Sequence, residues 1–199
     1  MADKRDFREL KNSCLTMDGI SKAEIDQHYG ILYKGYVNKL NEIRSKLEGV
    51  DFATANQSFS DLRGLKTEEV FCVNGTKLHE WYFDNLGGKG GEASGRIREL
   101  IDRDFGSYEK FVTEFKATGL AVRGWVVLAY DLDDEKLHVY GQDAHNVGVP
   151  WGAYPLLILD VYEHAYGIDY GVKRAPYLEA FMKNVDWNEV NQRLAKYHL

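Results

Sequence analysis

The residues with the clearest chemical potential in this sequence lie between positions 156 and 166. Four consecutive apolar residues, 156–159, predict a short buried strand, and Asp160 and His164 follow it directly. A carboxylate at the end of a buried strand is costly unless it is paired, hydrogen-bonded or bound to a metal. An oxygen ligand and an imidazole nitrogen together suit iron, manganese or zinc. The pair alone is structural about as often as it is functional, so the metal interpretation depends on further ligands elsewhere.

Histidine is the residue type that can supply those ligands, and the chain contains six of them. His28 and His79 each lie among apolar residues at helical spacing, so both side chains should face the core. A single buried histidine is more often a core residue than a ligand. His28, His79 and His164 together form a set that, with Asp160, suits one first-row metal ion. His145 lies in the loop before the last strand. It could be a fifth ligand, a hydrogen-bond donor to the groups around the metal, or neither.

Two long helical patterns contain His28 and His79. Residues 21–47 carry apolar residues at three- and four-residue spacing, and Ser21 with Glu24 resembles a capping box. Residues 62–86 predict a second helix, with an irregularity at the Asn-Gly pair 74–75. Two antiparallel helices joined by a short connection are the economical arrangement.

The pattern changes after a glycine-rich stretch at residues 87–91. This stretch lacks the spacing of a phosphate-binding loop, and we interpret it as a flexible joint between two halves of the chain. Short helices follow it, and two more helices are predicted at the C-terminus. Between them, alternating and β-branched residues predict a small antiparallel sheet of three strands, at 122–130, 136–140 and 156–159.

Composition places the chain among soluble globular proteins. Its 199 residues are 44% hydrophobic and 28% charged, and the formal net charge is -6. That charge argues against a general nucleic-acid-binding protein, which needs a basic surface. The two cysteines show no metal-binding spacing and suit a reducing compartment, and no signal peptide or membrane span is visible. We therefore expect a cytoplasmic protein without nucleic-acid or membrane partners.

Separate motifs, in the same order along nearly the whole chain, resemble those of the iron/manganese superoxide dismutase family. Residues 160–166, DVYEHAY, are similar to the family signature DVWEHAY, with Tyr162 for the usual tryptophan. Further stretches resemble the family's two ligand helices, its first strand and its C-terminal NW pair, at residues 28–38, 77–83, 124–125 and 186–187. The resemblance implies one iron or manganese ion per subunit, with four ligands: His28, His79, Asp160 and His164.

The family resemblance also implies a fold and an activity. The fold class would be α+β, with an N-terminal antiparallel helical hairpin, 1–88, packed on a C-terminal α/β domain, 92–199, that contains the three-stranded antiparallel sheet. The metal would lie between the two domains. The implied activity is that of an antioxidant oxidoreductase, which converts superoxide to dioxygen and hydrogen peroxide by alternating reduction and oxidation of the metal.

In this family, protons are supplied through a metal-bound water that is held by a glutamine or histidine, which in turn contacts a tyrosine, here Tyr36. The partner of that water is either His145 or Gln142, and we favour His145 because it fits a branch of the family that uses histidine. Trp125 and Tyr162 are the aromatic residues expected beside the site.

Two departures from the family affect the expected entrance to the site. Leu32 and Gly167 stand where most relatives have a histidine and a tyrosine that form a hydrogen-bonded gateway at the dimer interface. Glu163, which in relatives reaches the metal-bound histidine of the partner subunit, is retained, so a homodimer is expected, with a tetramer as the alternative. Arg174 resembles a family arginine near the funnel and is predicted to steer superoxide.

The choice of metal depends on residues around the ligands. Ile158 stands two residues before Asp160, where manganese enzymes of the family tend to have glycine, and His145 also occurs in iron-using members. Some relatives work with either ion; we predict higher activity with iron than with manganese. Two other functions remain as alternatives: a non-catalytic interaction protein with this fold, and a mononuclear non-haem iron oxygenase.

Overall fold

The computed structural model describes residues 4–148 and 150–198, which form an α+β fold. The helices are α1 Lys22–Gln27, α2 Lys34–Glu48, α3 Asp61–Asp84, α4 Arg96–Phe105, α5 Tyr108–Ala121, α6 Gly167–Tyr170, α7 Arg174–Lys183 and α8 Trp187–Lys196. The strands are β1 Trp125–Asp131, β2 Lys136–Gln142 and β3 Ala153–Asp160. A π-helical segment, His28–Tyr33, lies between α1 and α2. Short 3₁₀ turns occupy Asn12–Leu15, Phe52–Thr54 and Glu163–Ala165.

The first predicted helix is interrupted at its histidine. Ser21 caps α1 as predicted, because its Oγ accepts a hydrogen bond from the Glu24 N–H at 3.1 Å. The π-helical segment then widens the helix for one turn, so the next fully buried side chain after His28 is Tyr33, five residues on. Leu32, which the sequence pattern placed on the core stripe, is only half-buried. The prediction of one regular helix over 21–47 was wrong at this turn.

The helix α3 is regular through the predicted irregularity at 74–75, so that prediction was wrong. Gly75 has a packing role instead. A Cβ atom at this position would lie 2.9 Å from Cδ1 of Tyr36 on the neighbouring helix α2. The glycine therefore allows the Tyr36 ring to lie directly against the backbone of α3.

The glycine-rich stretch 87–91 packs closely against the loop between α7 and α8. Gly88 N–H donates to the carbonyl of Asn184 at 3.0 Å, and Gly90 N–H donates to that of Val185 at 3.1 Å. A Cβ atom at Gly88 would lie 2.3 Å from the Val185 oxygen. Close backbone approach therefore explains these glycines better than a flexible joint does. The division into domains 1–88 and 92–199 stays a prediction.

The sheet is three-stranded and antiparallel, as predicted, and its strand order is β2-β1-β3. The register pairs Trp125 with Gln142 on one side and with Asp160 on the other. These three residues therefore lie in one row at the same end of the sheet. Residues 125–129 of the central strand are fully buried and form part of the main core. Among residues 4–148 and 150–198, no helix combines the length and apolar character that a membrane span needs.

Candidate metal centre

Four predicted ligand side chains meet where the helical hairpin faces the sheet. His28 opens the π-helical segment, His79 lies on α3, Asp160 ends β3, and His164 lies in the 3₁₀ turn that follows. One ligand atom from each lies within 4.8 Å of all the others. The side chains of His28, His79 and Asp160 are completely buried, whereas that of His164 is 25% exposed.

The Asp160 carboxylate is the centre of the group. Its Oδ2 atom lies 3.1 Å from Nε2 of His28, 3.1 Å from Nε2 of His164 and 3.5 Å from Nε2 of His79. Its other oxygen, Oδ1, accepts a hydrogen bond from the Tyr162 N–H at 2.9 Å. One oxygen therefore faces the imidazoles while the other fixes the orientation of the carboxylate.

The environment of His79 fits a metal ligand. Its Nδ1 donates to the Gly75 carbonyl at 2.6 Å, which leaves Nε2 with a lone pair directed at the other ligands. Within residues 4–148 and 150–198, Nε2 of His79 and Nδ1 of His28 are buried without a hydrogen-bond partner. A buried nitrogen without a partner costs about 1–3 kcal/mol, and a bound cation would satisfy Nε2 of His79. Three imidazoles and one carboxylate suit a first-row metal ion.

The electrostatics of Asp160, His28 and His79 favour the protonation states that bind metals, whereas His164 would have to release a proton to bind one. Burial would raise the pKa of Asp160, but His164 and His28 hold it well below its usual range. Burial lowers the pKa of His28 and His79, so both rings are neutral. The pKa of His164 is raised because the neighbouring Asp160 charge outweighs its burial. An ionised carboxylate and neutral imidazoles are the forms that coordinate metals.

A hydrogen-bonded chain of Trp125, His145 and Tyr36 lies behind the ligands. Trp125 Nε1 donates to His145 Nδ1 at 2.8 Å, and His145 Nε2 lies 2.7 Å from the Tyr36 hydroxyl. An indole N–H can only donate, so the neutral His145 ring carries its hydrogen on Nε2 and donates it to Tyr36. Burial lowers the pKa of His145 to about 4, which keeps the ring neutral near pH 7. The Tyr36 and His79 rings are 5.3 Å apart.

Gln142, the other predicted partner of Tyr36, is also buried, at 2% exposure. It lies beside Trp125 on the side away from Asp160. Across the described part of the chain, its Oε1 atom has no hydrogen-bond partner. His145, rather than Gln142, is thus the residue that contacts Tyr36. Which of them would hold a metal-bound water stays a prediction.

Tyr162 and Glu163 border the exposed side of His164. The Tyr162 ring stacks on that of His164, with centroids 5.2 Å apart, and contacts His145 edge-on at 5.4 Å. Glu163 is exposed. A cavity of about 330 Å³ opens beside His164, lined by Glu24, Gln27, Ile31, Leu32, Glu163, Gly167 and Ile168. A Cβ atom at Gly167 would meet no atom within 4 Å, so the position of the missing tyrosine is open space.

Arg174 donates only to uncharged oxygens in the described ranges 4–148 and 150–198. Its Nη1 donates to the carbonyls of Gly119 and Val122, at 3.1 and 2.6 Å, and its Nε to the Tyr166 hydroxyl at 3.2 Å. Among the described residues, no paired carboxylate therefore neutralises the charge of Arg174. Steering of an anion would require such an unneutralised positive charge. Steering itself stays a prediction.

Two buried tyrosines that the sequence patterns did not single out also support the site. The Tyr177 hydroxyl donates to the Asp160 carbonyl at 2.7 Å and lies 3.1 Å from that of Tyr82. Tyr82 in turn packs on the His28 ring, with centroids 5.0 Å apart. Their helical spacing marks them only as core residues, because the contact with Asp160 joins distant parts of the chain.

Comparisons with known proteins agree with this geometry. Residues 93–193 match the family model of iron/manganese superoxide dismutases, C-terminal domain. The chain is 46% identical over 185 residues to the superoxide dismutase [Fe] of Aquifex aeolicus, covering 90% of this chain and 86% of that protein. It is 42% identical over 184 residues to the superoxide dismutase [Fe] of Cupriavidus metallidurans, covering 90% of each. It is 35% identical over 179 residues to superoxide dismutase [Mn] 1 of Halobacterium salinarum, covering 87% of this chain and 86% of that protein.

Proposed function

The chain belongs to the iron/manganese superoxide dismutase family, and from this premise we propose a superoxide dismutase that holds one iron or manganese ion through His28, His79, Asp160 and His164. The enzyme is an oxidoreductase that converts superoxide to dioxygen and hydrogen peroxide. One observation carries the ligand assignment: a carboxylate oxygen and three imidazole nitrogens lie within 4.8 Å of one another.

A bound iron or manganese ion would supply the one-electron redox chemistry of both half-reactions, and the protein must supply the conditions for them. Formation of hydrogen peroxide also consumes protons. Burial raises the pKa of the Tyr36 hydroxyl to about 12, so it stays protonated. Because its oxygen accepts a hydrogen bond from His145, its own hydrogen is available for donation toward the ligands. We assign proton delivery to Tyr36, with His145 and Trp125 fixing its orientation.

We also propose a cytoplasmic homodimer, with a tetramer as the alternative. Ile31 and Ile168, at the cavity beside His164, are 60% and 54% exposed, and such a pair is costly to leave in water. The exposed carboxylate of Glu163 lies at the same surface and is available to a partner subunit. Light scattering on the purified protein measures the molar mass and distinguishes the assemblies.

Iron is the proposed preferred metal. The two compared relatives that are 46% and 42% identical are named for iron, and the one named for manganese is 35% identical. Ile158 is completely buried and hydrogen-bonded through its backbone to the Asn85 side chain, at 2.9 Å from N to Oδ1. A bulky residue is therefore held rigidly two positions before Asp160.

Metal analysis of the protein from its native host, followed by superoxide consumption assays on iron- and manganese-loaded samples, tests these proposals. We expect about one ion per subunit and faster turnover with iron. Activity with manganese alone would overturn the metal preference but not the enzyme class. A fully loaded protein that consumes no superoxide would contradict the function and favour an interaction protein.

A further inference from the structure

A buried polar cluster lies outside the metal centre, where the N-terminal segment crosses the helical hairpin. Glu80 directly follows His79 on α3 and is only 4% exposed. Its Oε1 accepts hydrogen bonds from Arg5 Nε at 3.2 Å and from the Tyr33 hydroxyl at 3.0 Å. Its Oε2 accepts from Arg5 Nη2 at 2.5 Å. The carboxylate is therefore held on both oxygens, in the two-pronged geometry that arginine favours.

Tyr33 connects this cluster to the π-helical segment. His28 and Tyr33 are the first and last residues of the segment and its two buried side chains. The Tyr33 hydroxyl donates to Glu80 and accepts from the Arg8 N–H at 2.7 Å. A π-helical turn is rare in isolation and depends on tertiary contacts. The contact between Tyr33 and Glu80 joins the far end of this turn to the residue beside His79.

The π-helical turn and α3 each carry one of the proposed ligands, and the two ligand rings are in contact. The His28 and His79 rings meet edge to face, with centroids 5.0 Å apart. Phe83, one turn beyond His79, packs against both His28 and Tyr33, at 5.0 and 6.3 Å between centroids. Metal–ligand distances tolerate deviations of only about 0.2 Å. A small shift of the π-helical turn along α3 would therefore change the distance between the ligand atoms of His28 and His79.

We propose that Tyr33 and Glu80 are positioning residues of the metal centre: their hydrogen bond sets the place of the π-helical turn on α3, and with it the spacing of His28 and His79. Arg5 orients the Glu80 carboxylate for this contact. The inference rests on the proposed metal site. It adds residues that touch neither the ion nor the substrate but act through the ligands.

The test uses two matched tyrosines of the same turn. Tyr33→Phe removes the hydroxyl that reaches Glu80 and keeps the ring. Tyr29→Phe removes the neighbouring hydroxyl, which donates to the Arg8 carbonyl at 2.6 Å, and leaves the contact with α3 intact. Iron-loaded proteins are compared by the absorption and electron paramagnetic resonance spectra of the bound ion and by the rate of iron loss to excess chelator. We expect altered spectra and about tenfold faster loss for Tyr33→Phe, and wild-type behaviour for Tyr29→Phe.

A variant at Glu80 provides a rescue. Glu80→Gln retains an oxygen that can accept from Tyr33, so its iron spectra should stay close to those of the wild type even if the protein is less stable. A merely structural role would lower the melting temperature of Tyr33→Phe without changing the spectra. Identical spectra and iron-loss rates for Tyr33→Phe and Tyr29→Phe would overturn the inference. A wild-type protein that retains no iron or manganese would instead overturn the proposed metal site.

Discussion

At the scale of single residues, His79 has the environment that a bound cation would most clearly complete. Its Nδ1 is committed to the Gly75 carbonyl, and its buried Nε2 faces Asp160 Oδ2 at 3.5 Å with no hydrogen-bond partner in the described ranges. The His79 side chain is completely buried, so bulk water does not satisfy Nε2 either. The orientation imposed by Gly75 therefore prepares Nε2 for coordination before a metal arrives.

We predict that His79→Ala abolishes metal retention and superoxide consumption, with a loss of metal affinity of more than about 100-fold. The stabilisation that bound metal gives to the native state would disappear with it. His138→Ala is the matched control, because this half-exposed histidine pairs with Asp134 at 2.8 Å, far from the ligands in the sheet. Metal content by mass spectrometry and a superoxide assay measure the effect. Normal metal content in the His79 variant would contradict the assignment.

The second prediction separates His145 from Gln142. Because His145 bonds both Trp125 and Tyr36, His145→Ala should keep the metal but reduce turnover about 10- to 100-fold. Gln142→Ala should leave turnover near the wild-type value, since Tyr36 bonds His145 and the Gln142 Oε1 atom has no hydrogen-bond partner among the described residues. Stopped-flow superoxide decay at equal metal loading measures both variants. The opposite order of effects would transfer the role to Gln142.

At the scale of secondary-structure elements, the glycine-rich stretch is hydrogen-bonded to the loop between α7 and α8. Gly90 and Gly91 both have positive φ angles, of 58° and 73°. Only Gly90 also approaches another backbone, because a Cβ atom there would lie 2.3 Å from the Lys183 carbonyl oxygen. A Cβ atom at Gly91 would meet no atom within 4 Å. Conformational strain and close approach can therefore be measured separately at adjacent positions.

We predict that Gly91→Ala destabilises the protein by about 1–2 kcal/mol, the cost of a left-handed conformation for a residue with a Cβ atom. Gly90→Ala should cost clearly more, because the loop between α7 and α8 must also move. The free energies of unfolding in urea, measured on metal-free protein, give the comparison. Equal losses for the two variants would show that the close contact is not important for stability.

At the scale of the whole molecule, an anionic substrate must reach a protein whose formal net charge is -6. Local positive potential has to overcome this overall repulsion. Arg174 is suited to the task because its guanidinium donates to backbone carbonyls and a tyrosine hydroxyl, not to a carboxylate. Its fixed position also means that the charge stays in place without the entropy cost of ordering a free side chain.

We predict that Arg174→Gln lowers the rate constant for superoxide at least about twofold at low salt, and that the difference fades as ionic strength rises. Arg174→Lys is the control, since it keeps the charge but cannot reproduce the forked contacts with Gly119 and Val122. If steering operates, the lysine variant should retain most of the rate. Equal losses in both variants at every salt concentration would indicate a packing role instead.

The residue types that meet at the candidate metal centre, the sheet and the α+β class could all be predicted from the sequence, because they rest on local signals. Periodicity over a few residues shows that His28 and His79 face inward, and an Asp after a buried strand stands out by its type alone. The glycine stretch shows the limit of such signals: composition indicates a flexible joint, whereas its hydrogen bonds to Asn184 and Val185 show close packing. Glycine serves both purposes, and only its neighbours in space distinguish them.

The π-helical turn, the contact of Tyr36 with His145 rather than Gln142, and the bond between Tyr33 and Glu80 were decided only by the tertiary structure. The partners in that bond are 47 positions apart in the chain. Such contacts produce no periodic pattern in the sequence, since their energy depends on how two elements pack together and not on the residues adjacent in sequence. A π-helical turn likewise persists because distant side chains hold it, and so the register shift from Leu32 to Tyr33 arises only once the chain has folded.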